Sequence, residues 1–101
     1  MPTHELCDAS EIPEGKCKAF KIDGKGIAIY NVEGKFYGTQ DFCRHKGGSL
    51  GKGELDGTVV ICPLHGWRFD VTSGECLTQP HCKKLTLFPV AVSGGRIAVE
   101  I

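Results

Sequence analysis

Apolar residues along this chain recur at every second position over short stretches, and glycine stops each stretch. Lys18-Ala19-Phe20-Lys21-Ile22 alternates and meets Gly26-Ile27-Ala28-Ile29-Tyr30 across Asp23-Gly24, a pair that favours a type I′ hairpin turn. Asn31-Val32-Glu33-Gly34 predicts a second turn, leading into Lys35-Phe36-Tyr37-Gly38-Thr39. Near the end, residues 85–92 and 96–101 predict another pair of strands across Ser93-Gly94-Gly95. Strands this short and this often interrupted predict an all-β fold, an antiparallel sandwich or barrel. No window keeps an apolar 3.6-residue period long enough for a helix. Residues 9–12 predict only a turn, cut short by Pro13.

Between Gln40 and Pro80 the pattern changes: glycines crowd in, and only Val59-Val60-Ile61 and Arg68-Phe69-Asp70 look like strands. We expect one domain over residues 1–101, with a base made by about 1–39 and 81–101 and a small inserted subdomain at about 40–80. The 12 basic and 12 acidic residues cancel, so bulk charge favours neither nucleic acid nor an anionic membrane surface. The longest apolar run, residues 58–62, falls far short of the roughly 20 residues that span a bilayer. The first residues carry neither a basic nor an apolar leader segment, which predicts the cytoplasm.

Six cysteines in so short a chain need an explanation. Two of them fall into tight pairs with histidine: Cys43-Arg44-His45, then Cys62-Pro63-Leu64-His65 after sixteen intervening residues. Each pair offers one soft thiolate and one borderline imidazole, so two cysteines and two histidines can converge on one centre. Such a set suits iron–sulfur or zinc and disfavours hard cations that want oxygen. Cys7, Cys17, Cys76 and Cys82 have no histidine at ligand spacing and read as ordinary buried thiols, with a second metal site or a redox switch as the alternative. Gly47 and Gly66 are expected to let backbone N–H groups approach the centre, with Gly48 and Gly51 as further candidates. His4 and His81 read as surface residues. There is no serine–histidine–acid set, phosphate loop or dinucleotide fingerprint.

The stretch from Phe42-Cys43-Arg44-His45 to Cys62-Pro63-Leu64-His65-Gly66-Trp67-Arg68-Phe69-Asp70 resembles the Rieske iron–sulfur family, over almost the whole chain. The resemblance implies a Rieske-like β-sandwich or barrel base with a cluster-binding subdomain, and one [2Fe-2S] cluster. It implies that Cys43 and Cys62 hold the buried iron, that His45 and His65 hold the outer one, and that Gln79-Pro80 belongs to a loop covering the cluster. High-potential members carry an extra cysteine in each loop, joined as a disulfide; the matching positions here are Gly48 and Leu64. They also place hydroxyls near the sulfurs, where this chain has Trp67 and Phe69. Without those hydrogen bonds the reduced cluster is less stabilised, which predicts a potential on the order of −150 mV.

The chain is therefore similar to soluble Rieske-type ferredoxins that feed oxygenases. That implies a one-electron carrier, not an enzyme, with a flavin-dependent or similar reductase as donor and an oxygenase or other redox enzyme as acceptor. Contacts with them would be transient and small, below about 1,200 Å². Arg44, Lys46 and Lys52 flank the first loop and would steer an acidic partner face, while Glu5, Asp8, Glu11 and Glu14 form an acidic stretch with no basic residue. Alternatives are the small subunit of an assimilatory nitrite reductase, a structural zinc site on the same four residues, or a regulatory iron–sulfur sensor. Coordinated imidazoles keep one ring nitrogen to protonate, and the reduced cluster holds that proton more tightly. The potential is expected to fall by about 59 mV per pH unit for each proton once a ligand titrates in the oxidised form. A redox titration that stays flat from neutral to strongly alkaline pH contradicts histidine ligation.

Overall fold

The computed structural model describes residues 3–43, 48–64, 66–78 and 83–101. Ten strands run through them: β1 Thr3–Asp8, β2 Cys17–Ile22, β3 Lys25–Val32, β4 Lys35–Gln40, β5 Glu54–Asp56, β6 Val59–Ile61, β7 Arg68–Asp70, β8 Leu87–Phe88, β9 Val90–Ser93 and β10 Arg96–Glu100. They build three antiparallel sheets, in the orders β1-β10-β9, β2-β3-β4-β8 and β5-β6-β7. The only helical pieces among the described residues are two single 3-10 turns, Ala9–Glu11 and Leu50–Lys52.

β3 is the strand around which the rest is arranged. Side chains alternate faces along a strand, and in β3 both faces are buried. Ile27 and Ile29 pack with Cys7, Ile12, Ile97 and Val99. Ala28 and Tyr30 face the other way, into a core with Leu50, Val60, Phe69, Val71 and Leu85. The first core joins the four-stranded sheet to β1, β9 and β10. The second joins it to β5–β7 and the loops between them.

The predicted hairpins are present. Asp23 and Gly24 both have positive φ (48° and 83°), the I′ geometry, and Ile22 pairs with Lys25 across them. The second turn is narrower than expected: Asn31 and Val32 remain in β3, and Glu33 and Gly34 alone make the reversal. Asn31 is buried there and satisfied, donating to the Ile12 carbonyl and accepting from the Gly34 N–H, both at 2.8 Å. Residues 85–92 do not form one strand. Pro89 divides them, so that β8 joins β4 while β9 crosses to β10. Gly38 lets that crossing segment press in, since a Cβ there would sit 2.7 Å from Val90 Cγ2. Two strands are absent from the sequence reading, β1 and β5. β1 pairs with β10 through a bulge at Leu6, and β5 is only three residues long.

Gly51 shows how closely the second core is packed. A Cβ on it would lie 2.6 Å from the Ala19 backbone nitrogen and 2.7 Å from its Cα, atoms that cannot yield. Gly57, by contrast, has φ of +63° with open space around it. Gly51→Ala is expected to cost about 3 kcal/mol through overpacking, and Gly57→Ala about 1 kcal/mol through backbone conformation alone. Urea midpoints of the two variants check the difference; equal losses contradict the packing argument.

Candidate metal centre

Both predicted cysteine ligands enter the same core. Cys43 follows β4 and Cys62 follows β6; each is 2 % exposed, outside any disulfide, and packed with Leu50, Val60 and Phe69. His45 and His65, with Arg44, Lys46, Gly47, Gln79, Pro80, His81 and Cys82, lie outside the described residues. What the structure places is thus the sulfur half of the expected donor set. Two buried cysteines outside any disulfide and sharing one core fit a soft, thiolate-bound group.

Each loop is closed by its own backbone. The Cys43 N–H donates to the Gly48 carbonyl at 2.7 Å, beside an antiparallel bridge between Phe42 and Ser49. The Cys62 N–H donates to the Trp67 carbonyl at 2.8 Å, and the Gly66 N–H returns to the Cys62 carbonyl at 3.0 Å. The loops also touch one another. A Cβ on buried Gly48 would stand 2.9 Å from Leu64 Cγ and Cδ1 and 3.2 Å from Cys62 Sγ. Where high-potential Rieske proteins have a crosslink, this chain packs Leu64 against a glycine. Gly48 is therefore a close-approach glycine at Cys62, whereas Gly51 is closely packed against Ala19 and not against a ligand loop. The close-approach role expected of Gly66 finds no support, since a Cβ there would meet no described atom within 4 Å; its φ of +72° is its requirement.

A third segment runs along β7. Phe69 bridges to Cys76, the Leu77 N–H donates to the Arg68 carbonyl, and the Arg68 N–H donates to Thr78 Oγ1, the last two at 2.8 Å. Trp67 packs on the core beneath its loop.

Two residues ahead of the first loop hold it in place, and the sequence reading did not single them out. Gln40, buried, donates from Nε2 to the Phe42 carbonyl (3.0 Å) and accepts the Thr86 N–H on Oε1 (2.9 Å). Asp41 accepts from Ser49 Oγ and the Gly51 N–H. Their one signal in sequence is a pair of polar residues where a strand should run on into apolar ones.

The remaining cysteines divide. Cys7 is a buried free thiol, and burial, then the charge of Glu11, pushes its pKa up. Cys17 is half-buried and free, with Sγ 3.6 Å from the Gly53 carbonyl; burial and then the charge of Asp41 raise its pKa. Both are poor nucleophiles and poor ligands. Cys76 overturns the expectation of an ordinary thiol, for it is disulfide-bonded. The acidic stretch is also less bare than it reads: Arg96 pairs with Glu5 and Asp8, and Lys18 with Glu11. His4 lies half-buried on β1, opposite Val99.

The sequence profile of the Rieske [2Fe-2S] domain matches residues 3–89. The chain belongs to this family. Its Rieske relatives include the ferredoxin component of a naphthalene 1,2-dioxygenase system from Pseudomonas aeruginosa, 37 % identical over 90 % of this chain and 88 % of the relative. The biphenyl dioxygenase ferredoxin subunit of Pseudomonas sp. strain KKS102 is 38 % identical over 99 % of this chain and 93 % of its own length. Among solved structures, a chain in the complex of reduced oxygenase and oxidised ferredoxin in carbazole 1,9a-dioxygenase superposes with a TM-score of 0.89. It is 36 % identical, covering 96 % of this chain and 91 % of that one. Membership of the Rieske family implies one Rieske-type [2Fe-2S] cluster as cofactor.

The disulfide generates a countable outcome. With Cys7, Cys17, Cys43 and Cys62 outside any disulfide and Cys76 in one, fewer than six thiols should titrate per chain. Protein unfolded anaerobically with a chelator, and without reductant, is titrated with a thiol reagent. Six thiols contradict the bond.

Proposed function

We propose that this protein is a one-electron carrier. It holds its cluster on Cys43, His45, Cys62 and His65, between a flavin-dependent or similar reductase and an oxygenase or similar terminal enzyme. The observation that carries the reading is the meeting of Cys43 and Cys62. Two cysteines 19 residues apart in sequence, neither in a disulfide, are both buried in one core, with Gly48 of one loop against Cys62 Sγ of the other. The relatives named as ferredoxin components, and the solved ferredoxin–oxygenase complex, support the direction of electron flow.

The bound cluster supplies a one-electron couple, and the chain does the rest. Val60, Phe69, Val71 and Leu85 keep water from the sulfur side. In this reading residues 40–80 act as the cluster-binding subdomain and the strands outside it as a supporting base. The protein carries charge between catalysts and does not itself transform a substrate. We place it in the cytoplasm, a reading supported by Cys7 and Cys17, which lie outside any disulfide, and opposed by the disulfide at Cys76. Among the described residues no helix is long and apolar enough to cross a membrane.

Anaerobically purified protein is expected to be reddish-brown, to contain two irons and two labile sulfides per chain, and to give a mixed-ligand Rieske EPR signal on reduction with dithionite. Cys43→Ser, Cys62→Ser, His45→Ala and His65→Ala should each abolish that signal. Colourless protein with one tetrahedral zinc, or a ligand variant that keeps the native signal, refutes the assignment.

A further inference from the structure

We propose that Asp41 is a positioning residue of the electron-transfer site: its carboxylate closes the base of the loop bearing Cys43 and His45, and its negative charge beside that loop lowers the potential at which the site accepts an electron. This rests on the carrier reading above and deepens it.

The closure is complete at every level of the loop's base. Asp41 is anchored first: its N–H donates to the Gly26 carbonyl at 3.0 Å. Its own carbonyl accepts the Leu50 N–H at 2.7 Å. The carboxylate accepts from Ser49 Oγ, 3.0 and 2.8 Å from its two oxygens, and from the Gly51 N–H at 2.8 Å. One residue thus holds three consecutive residues of the returning limb. Gly51 is itself immobilised against the Ala19 backbone, so the limb is tied to a fixed point of β2. The Phe42–Ser49 bridge and the Cys43–Gly48 hydrogen bond stack directly on this clasp. A loop whose two limbs cannot separate has little freedom to move Cys43.

The clasp has a charge that hydrogen bonding alone does not need. An asparagine would offer the same oxygen to Gly51 and an amide to the Ser49 hydroxyl. Among the described residues the donors to the carboxylate are the Ser49 hydroxyl and the Gly51 N–H, both neutral, and the ion pairs are those of Lys18 and Arg96. Lys21 and Lys52 line the same shallow groove without reaching ion-pair distance. The field of Asp41 extends inward, since it adds to the effect of burial in raising the Cys17 pKa. Reduction adds one negative charge to the site, and a nearby anion opposes it.

Three variants separate tether from charge. Asp41→Asn keeps the tether, so the loaded protein should show an unchanged EPR line shape and a higher midpoint potential. Ser49→Ala keeps the charge and removes one tether; its potential should stay near wild type while the reduced signal broadens. Asp41→Ala loses both, with amide exchange at Gly51 about tenfold faster, as expected for one lost hydrogen bond to a charged group. Amide exchange is read on the cluster-loaded, oxidised protein and needs no partner enzyme. Wild-type potential in Asp41→Asn overturns the charge role. Wild-type exchange and line shape in both Ser49→Ala and Asp41→Ala overturn the clasp. Should wild-type protein itself give no Rieske signal, the carrier reading fails first and this proposal with it.

Discussion

The fold depends on a single strand being buried on both faces. β3 sends Ile27 and Ile29 to one core and Ala28 and Tyr30 to the other, and all four are fully buried. A register slip of one residue would exchange the two sets, putting a tyrosine where an isoleucine packs against Ile97. The I′ turns at both ends of β3 prevent that slip by fixing its pairing with β2 and β4. Cys43 and Cys62 inherit their positions from this arrangement, because they belong to the core that Ala28 and Tyr30 face.

From that core the two loops that carry Cys43 and Cys62 present opposite surfaces. Their inner side is apolar. Their outer side leaves Phe42 52 % exposed and Leu64 56 % exposed, each next to a residue of a predicted ligand pair. Leu64 has a double role, since its Cγ and Cδ1 also press on Gly48. Packing in place of a covalent crosslink makes the contact between loops reversible, and a carrier that must dock and release twice per electron tolerates that well. The stiffness is supplied lower down, by Gln40 and Asp41, where every polar atom at the base of the loop has a partner.

The sequence made much of this legible, for reasons that differ by element. The hairpins around β3 were readable because Asp23-Gly24 and Glu33-Gly34 require positive φ and strict alternation flanks them. β6 and β7 were readable from β-branched and aromatic residues alone. β1 was not, because Thr3–Asp8 is polar except at Leu6 and Cys7, and its pairing depends on β10 some ninety residues away. Nor was the division at Pro89: a proline in an apolar run signals an edge, but not that the chain changes sheets there. The paired spacing of cysteine and histidine pointed to Cys43 and Cys62, and the structure buries both in one core. The Asp41 clasp was hidden, since nothing local connects an aspartate with a serine eight residues on. The disulfide at Cys76 was equally hidden, because spacing alone does not separate a bonded cysteine from a buried one.

The electrostatics of the buried half of the site restrict where its pH response can arise. Tyr30 lies in the same core as Cys43 and Cys62, and burial pushes its phenol far above the usual range despite its hydrogen bond to Thr39 Oγ1 at 2.8 Å. Cys17, packed against that core, is likewise pushed up by burial and then by Asp41. Burial thus favours the neutral, protonated form of each. In the proposed ligand set the ring nitrogens of His45 and His65 are the groups that would couple proton to electron. The apolar core and the raised pKa values under it act in one direction, for both oppose the appearance of charge beneath Cys43 and Cys62.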